Sequence, residues 1–143
     1  VYPERLISEP KCLSRPLYGF ENTEHTINNE GPYAFYYHNK IYLAYSGGDA
    51  RGYLYAIGML TANDGDDLCD LSVWEKAKTP IASFATIPGE YGPGHNSFFW
   101  DRDQNLWIAY HAVTSFEEKI VSSGMRRVYF EQDKTPRFDV IVE

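Results

Sequence analysis

Two stretches decide the fold of this chain: Ile41-Tyr42-Leu43-Ala44-Tyr45-Ser46 and Leu106-Trp107-Ile108-Ala109-Tyr110-His111. They superpose when the sequence is shifted against itself by 65 positions. Without a gap, the same shift lays Tyr33 on Phe98, Phe35 on Trp100 and Asn39-Lys40 on Gln104-Asn105. Each unit is an aromatic strand, a tight polar turn, and a second aromatic strand ending in a polar residue. Aromatics suit a pleated, half-buried surface. A third strand is expected in each unit, over 53–60 and over 125–130. Self-similarity at a fixed period is the signature of repeat architectures. Three or four antiparallel strands per repeat, set around an axis, make a propeller blade.

Working outward, short apolar runs bounded by Gly, Pro, Asn and Asp continue through the chain, which is strand-and-turn punctuation. The expected strands are 33–38, 41–46, 53–60, 97–101, 106–111, 125–130 and 137–142, with a short helical turn or loop over 66–76. The period exceeds the ~40–45 residues of a common propeller blade. Long loops over 61–80 and 112–124 account for the difference. The reading is all-β: a trailing outer strand over about 1–20 and a linker to residue 29, one blade over 30–90, and a last blade over 91–143. A propeller needs ~4–8 blades to close. Two to three blades are expected to expose open faces and edge strands, and so to pair with further blades or with a second copy. The repeat alone leaves a second architecture open, an ordinary sandwich of ~7 strands.

Composition narrows the function. Of 143 residues, 43% are hydrophobic and 23% charged, which is ordinary globular material. The net charge of −7 argues against a phosphate backbone as partner, because such binding needs a basic face. No apolar run reaches the ~18 residues of a membrane span. The chain starts at Val1 without a leader pattern, which leaves the compartment open. Cys12 and Cys69 show no metal-ligand spacing and read as unrelated thiols, with one disulfide as the alternative.

The shift of 65 also places Glu30 on His95. Glu30 lies in Asn28-Asn29-Glu30-Gly31-Pro32, and His95 lies in Tyr91-Gly92-Pro93-Gly94-His95-Asn96-Ser97. Singly, a Glu beside Gly-Pro is ordinarily a solvated turn residue, and a His beside Asn-Ser is hydrogen-bonded within its turn. As equivalents on neighbouring blades they would converge near the axis, where first strands run. A Glu and a His on one rim, braced by Gly/Pro turns, are a candidate reaction site.

These residues resemble a known family. Asn29-Glu30-Gly31-Pro32, an aromatic strand and Lys40-Ile41-Tyr42-Leu43-Ala44-Tyr45-Ser46 are similar to the acid-bearing blade of glycoside hydrolase family 43. Tyr91-Gly92-Pro93-Gly94-His95-Asn96-Ser97-Phe98, followed by Trp107-Ile108-Ala109-Tyr110-His111, is similar to the next blade. Leu60-Thr61-Ala62, Ser72-Val73-Trp74 and the ending Arg127-Val128-Tyr129-Phe130 with Thr135-Pro136 extend the likeness over nearly the whole chain.

The resemblance implies a five-bladed propeller, here in part. It implies inverting hydrolysis of arabinose- or xylose-containing saccharides, with Glu30 as the general acid. It implies that His95 lies at the axis, where members hold a calcium ion or a water. It implies a substrate-binding Arg on the last blade, a role for which Arg126 and Arg127 compete. Calcium takes six to eight oxygen ligands, so one imidazole completed by waters would be a weak site. An inverting pair needs two carboxyls ~6.5–9.5 Å apart. The resemblance places the base and a pKa-raising Asp on earlier blades, and Asp49, Asp64 and Asp101 are not nominated in their place. Two departures stand out. Phe20-Glu21 is the remnant of an aromatic-Glu pair that members carry ahead of the acid. The last turn, Gln132-Asp133-Lys134-Thr135-Pro136, has Lys where Gly is usual, so its shape is expected to differ. A competing reading is a non-catalytic carbohydrate-binding propeller piece, and another an interaction domain without a sugar site.

Overall fold

A computed structural model describes residues 4–6, 8–115, 117–118 and 120–140. Its strands are β1 (Asn22–Thr23), β2 (Thr26–Ile27), β3 (Asn29–Tyr37), β4 (Lys40–Gly47), β5 (Ala56–Asn63), β6 (Glu75–Lys76), β7 (Tyr91–Trp100), β8 (Leu106–Ser115), β9 (Ile120–Arg127), β10 (Tyr129–Phe130) and β11 (Pro136–Arg137). All pairings are antiparallel: β3-β4-β5-β6 form one sheet, β7-β8-β9 a second, and β1-β2 and β10-β11 are hairpins.

The two large sheets stack as propeller blades do, front face on back face. In β4, Tyr42 and Ala44 point into the core. In β8 the residues that meet them are Leu106, Ile108, Tyr110 and Ala112. Those occupy the alternate positions of the repeat, because successive side chains of a strand point to opposite faces. The remaining faces, with Ile41 and Leu43 on one blade and Trp107 and Ala109 on the other, are only half-buried. Phe35 stacks on Tyr42 and meets Phe98 across the interface, at ring-centroid separations of 4.8 and 4.5 Å. A sandwich of two sheets would instead turn like faces toward each other.

The register corrects the repeat by one residue. Tyr33 pairs with Ala44, but its counterpart opposite Ala109 is Ser97, not Phe98. First strands therefore correspond at 64 and second strands at 65. The cause is the turn: β3 reverses into β4 through His38-Asn39, whereas Asp101 pairs back onto Asn105 around three residues. Asn39 and Gln104 both take φ +61° there. The true counterpart of Glu30 is Gly94, and that of His95 is Gly31. A slip of one residue exchanges the faces of a strand, so this correction bears on the site.

Other elements depart from expectation locally. The third strand of the first blade begins at Ala56 rather than 53, because Tyr53 and Leu54 lie in a turn and Tyr55 is free of the ladder. Within 112–124, residues 112–115 and 120–124 extend the β8-β9 hairpin, with Val113 paired to Val121, where a loop was expected. The expected strand 125–130 is interrupted at Val128, which is buried and whose N–H donates to the Leu106 carbonyl at 2.8 Å. The described residues among 1–20 form no strand. The expected strand 137–142 appears only as β11, and its residues 141 and 142 lie outside the described residues. A single 3-10 turn, Leu71–Val73, occupies the 66–76 segment, where the Asp70 carboxylate accepts from the Ser72 N–H at 2.9 Å. Lys134 takes φ +70°, the conformation a Gly would favour, so the last turn keeps the shape its sequence argued against. Tyr42 donates to the Lys134 carbonyl at 2.8 Å and ties that turn to the first blade. Cys12 and Cys69 are free and exposed.

Each blade also carries a device that no motif announced. Tyr45 lies across Gly58, and Tyr110 lies across Gly124, its partner in the ladder; a Cβ on either glycine would strike the ring. The phenol of Tyr45 donates to Glu21 at 2.8 Å, and that of Tyr110 donates to Glu90. A base completes each: Lys76 pairs with Glu21 and Arg126 with Glu90.

Candidate active site

Glu30 sits where the β3-β4 ladder breaks. It pairs with Ser46, after which the register shifts before Tyr33. Gly31 absorbs the bulge with φ +56°, a conformation open to glycine at no steric cost. Its counterpart His95 takes φ +52° at the matching bulge of β7. The bare Cα of Gly31 faces the His95 ring, and a Cβ built there would lie 3.5 Å from Nδ1 and Cε1. The two motifs do meet, although through Gly31 rather than by equivalence.

Three further residues join them, and motif reading missed all three. The fully buried Tyr55 donates its phenol proton to Glu30 Oε1 at 2.8 Å. Ser46, also fully buried, lies beside the same phenol and accepts the His95 backbone N–H at 2.8 Å. His111 stacks on Tyr55 with ring centroids 5.6 Å apart and lies 6.3 Å from the His95 ring. Burial pushes the Tyr55 phenol well above its ordinary range; Ser46 works the other way and Glu30 adds to the rise. Burial, helped by His95, pulls the His111 imidazole down, against an opposing pull from Glu30. His111 is thus poised neutral. Its Nδ1 is buried without a partner, as are both polar atoms of the Asn96 amide.

Asn29, one residue before the acid, is held from the other side. Its amide donates to Glu21 Oε1 at 2.9 Å. Glu21 is fully buried and also accepts from Tyr45, from Lys76 and from the backbone N–H groups of Leu17 and Tyr18. Burial would raise its carboxyl, but Lys76 and these donors outweigh that and hold it below the usual range. Such a saturated carboxylate is a brace, not an acid or a base. Glu30 borders an open hollow lined by Lys11, Leu13, Pro32, Leu43 and Leu60.

The two arginines lie elsewhere. Both line a separate hollow with Glu90, Trp107 and Tyr129. Arg126 donates to Tyr110 and Glu90, at 2.8 and 2.7 Å. Burial would lower its guanidinium, but those two partners hold it above its ordinary value. Arg127 is exposed and sits 5.1 Å from the Tyr129 ring. Asp49, Asp64 and Asp101 are occupied by Arg51, Tyr36 and the Asn105–Trp107 turn respectively.

Among the described residues no group of three or more His, Cys, Asp or Glu could hold a metal. Around His95 the chain offers two imidazoles and one amide, which do not by themselves fit the six to eight oxygens that calcium takes. No helix among the described residues is long and apolar enough to cross a membrane.

Comparison with known proteins gives this geometry its context. Residues 5–136 match the profile of Glycosyl hydrolases family 43. The chain is 29% identical to an extracellular exo-alpha-(1->5)-L-arabinofuranosidase of Streptomyces avermitilis, covering 98% of this chain and 30% of that protein. It is 38% identical over 101 residues to the protein of the same name from Streptomyces chartreusis, covering 70% of this chain and 30% of that one. Among solved structures, an alpha-L-arabinofuranosidase from Lactobacillus brevis superposes with a TM-score of 0.84 at 29% identity, over 96% of this chain and 44% of that one. The chain thus spans about a third of the length of these curated relatives. With a profile match over nearly all its length and two stacked blades that carry both motifs, the chain belongs to glycosyl hydrolases family 43.

Proposed function

We propose that this chain supplies the acid-bearing part of an inverting glycosidase that releases arabinofuranosyl units from arabinose-containing saccharides, with Glu30 as the general acid. The observation that carries the reading is Glu30 itself. It is a half-buried carboxyl at the edge of an open hollow, oriented by one phenol, with the His95 ring packed against the next residue, Gly31. Glu30 protonates the departing glycosidic oxygen, a step that contributes roughly 10²–10⁴-fold. The base that activates water on the opposite face belongs ~6.5–9.5 Å away in an inverting enzyme. Glu21 is too buried and too well paired to serve. Arabinose is favoured over xylose because the curated relatives above are arabinofuranosidases, and secretion is favoured because their names call them extracellular. Any cation near His95 would need oxygens beyond those described here.

The test is hydrolysis of aryl arabinofuranosides and aryl xylosides, comparing wild type with Glu30→Gln. The variant should lose about 10²–10⁴-fold on poor leaving groups, which need the proton, and far less on activated ones. Equal loss on both would show that Glu30 is not the acid. Saccharide binding without turnover, unaffected by Glu30→Gln, would make the protein a binding module instead.

A further inference from the structure

We propose that Tyr55 is the positioning residue of the acid, and that Gly94 is a glycine because the Tyr55 ring must pass over it to reach Glu30. This rests on the reading of Glu30 as the general acid. The ring occupies the space a side chain would need: a Cβ on Gly94 would lie 2.0 Å from Tyr55 Cε1 and 2.3 Å from Cδ1. A Cβ on Gly92 would lie 2.3 Å from the Gly52 carbonyl and 3.5 Å from the Tyr55 Cβ. Gly94 pairs directly with His111, and directly opposed residues share a face. The gap at Gly94 is therefore what lets the ring stack on His111 of the next blade while its hydroxyl reaches Glu30 of its own blade.

A chain of contacts results: the His95 N–H donates to Ser46, Ser46 lies beside the Tyr55 phenol, and that phenol donates to Glu30. It ties the second motif to the first without any side chain of the second touching the carboxyl. Tyr55 is fully buried, whereas Glu30 stands at a bulge where the ladder gives it little hold.

The chemistry follows from which oxygen is taken. The phenol donates to Oε1, which assigns Oε2 as the oxygen that carries the acid proton. As the glycosidic C–O bond breaks, its electron pair goes to the leaving oxygen, which takes the proton from Oε2. Water attacks the anomeric carbon from the opposite face and gives its proton to the base there. Glu30 is left as a carboxylate still accepting the Tyr55 O–H. A hydrogen bond to an ionised acceptor is stronger than one to a neutral acceptor, so this contact strengthens as the proton departs. Interactions stronger in the transition state than in the ground state are those that raise the rate.

The experiment uses the natural protein containing these residues. It compares wild type, Tyr55→Phe, Ser46→Ala, Glu30→Gln and the Tyr55→Phe/Glu30→Gln double variant. The probes are a 2,4-dinitrophenyl arabinofuranoside and an alkyl arabinofuranoside. Phenylalanine keeps the stacked ring and removes only the donor. The expected result is a kcat loss of about 10–100-fold on the alkyl substrate and at most a few-fold on the dinitrophenyl one. Ser46→Ala should give a smaller loss with the same selectivity. Tyr55→Phe should add nothing in the Glu30→Gln background, since contacts acting through one group are not additive. Equal loss on both probes, no loss, or full additivity would overturn the role of Tyr55 while leaving Glu30 as the acid. Should Tyr55→Phe fail to fold, the selectivity of Ser46→Ala decides in the same way. A Glu30→Gln variant without leaving-group selectivity would remove the acid reading itself, and this one with it.

Discussion

Replacing Lys76 with Met probes the brace beneath the acid. Lys76 Nζ lies 2.5 Å from Glu21 Oε1, donates to the Arg15 carbonyl at 2.7 Å, and sits 5.0 and 5.3 Å from the Tyr18 and Tyr45 rings. The Glu21 side chain is fully inaccessible to solvent and that of Lys76 is 15% exposed. Removing one partner of a buried pair costs about 3–5 kcal/mol, because the other charge is left uncompensated. Four donors stay on Glu21, namely Leu17, Tyr18, Asn29 and Tyr45, which points to the lower end, about 3 kcal/mol. At roughly 2–4 °C per kcal/mol for a chain of about this size, the melting temperature should fall by roughly 10 °C. The pH dependence has a definite sign. The folded Glu21 carboxyl is held below its ordinary 4.5. Its contribution is therefore complete above that value and lost as pH falls through the lower folded value. The gap between wild type and Lys76→Met should be full at pH 7 and narrow in acid, once Glu21 is protonated in both. Thermal and urea unfolding between pH 7 and 3 measure this. A loss under about 1 kcal/mol at pH 7, or a gap that stays constant into acid, would refute the reasoning.

Two further substitutions test the glycine logic. Gly94→Ala puts a methyl 2.0 Å from a ring atom of the fully buried Tyr55, and overpacking of this kind costs roughly 1–3 kcal/mol. It should also reproduce the leaving-group-selective loss of Tyr55→Phe, and urea midpoints unchanged from wild type would show that the ring is not seated there. Lys134→Gly should stabilise by about 0.5–1 kcal/mol. The left-handed conformation at φ +70° costs an L-residue roughly 1–2 kcal/mol, and the greater unfolded-state freedom of Gly offsets only part of that. A lower melting temperature would mean that the bond from Lys134 Nζ to the His38 carbonyl outweighs the backbone strain.

Glu30 was legible as a candidate acid because its neighbours are backbone specialists. Asn-Glu-Gly-Pro marks a bulge in sequence, and Gly31 does take positive φ there. The Gly-rich element before His95 was equally visible, but what its glycines accommodate was not. That the space over Gly94 holds Tyr55, 39 residues earlier in the chain, is a fact of packing between blades. The arginines show the reverse. Their presence near the end of the last blade is plain in the sequence, yet the pairing of Arg126 with Glu90 spans 36 residues and takes that guanidinium for structure.

By itself the sequence determined the strand-turn-strand units and the 65-residue spacing of their second strands, because alternation and turn chemistry are local properties of the chain. It could not determine the offset between blades. A ladder register depends on how many residues a turn spends in reversing, and the extra residue in 102–104 moved the counterpart of Glu30 from His95 to Gly94. Nor could it reveal the chain from His95 through Ser46 and Tyr55 to Glu30. Those residues are 9 to 65 positions apart; the pairing of β3 with β4 and the turn before β5 bring Glu30, Ser46 and Tyr55 together, and only the stacking of one blade on the next adds His95.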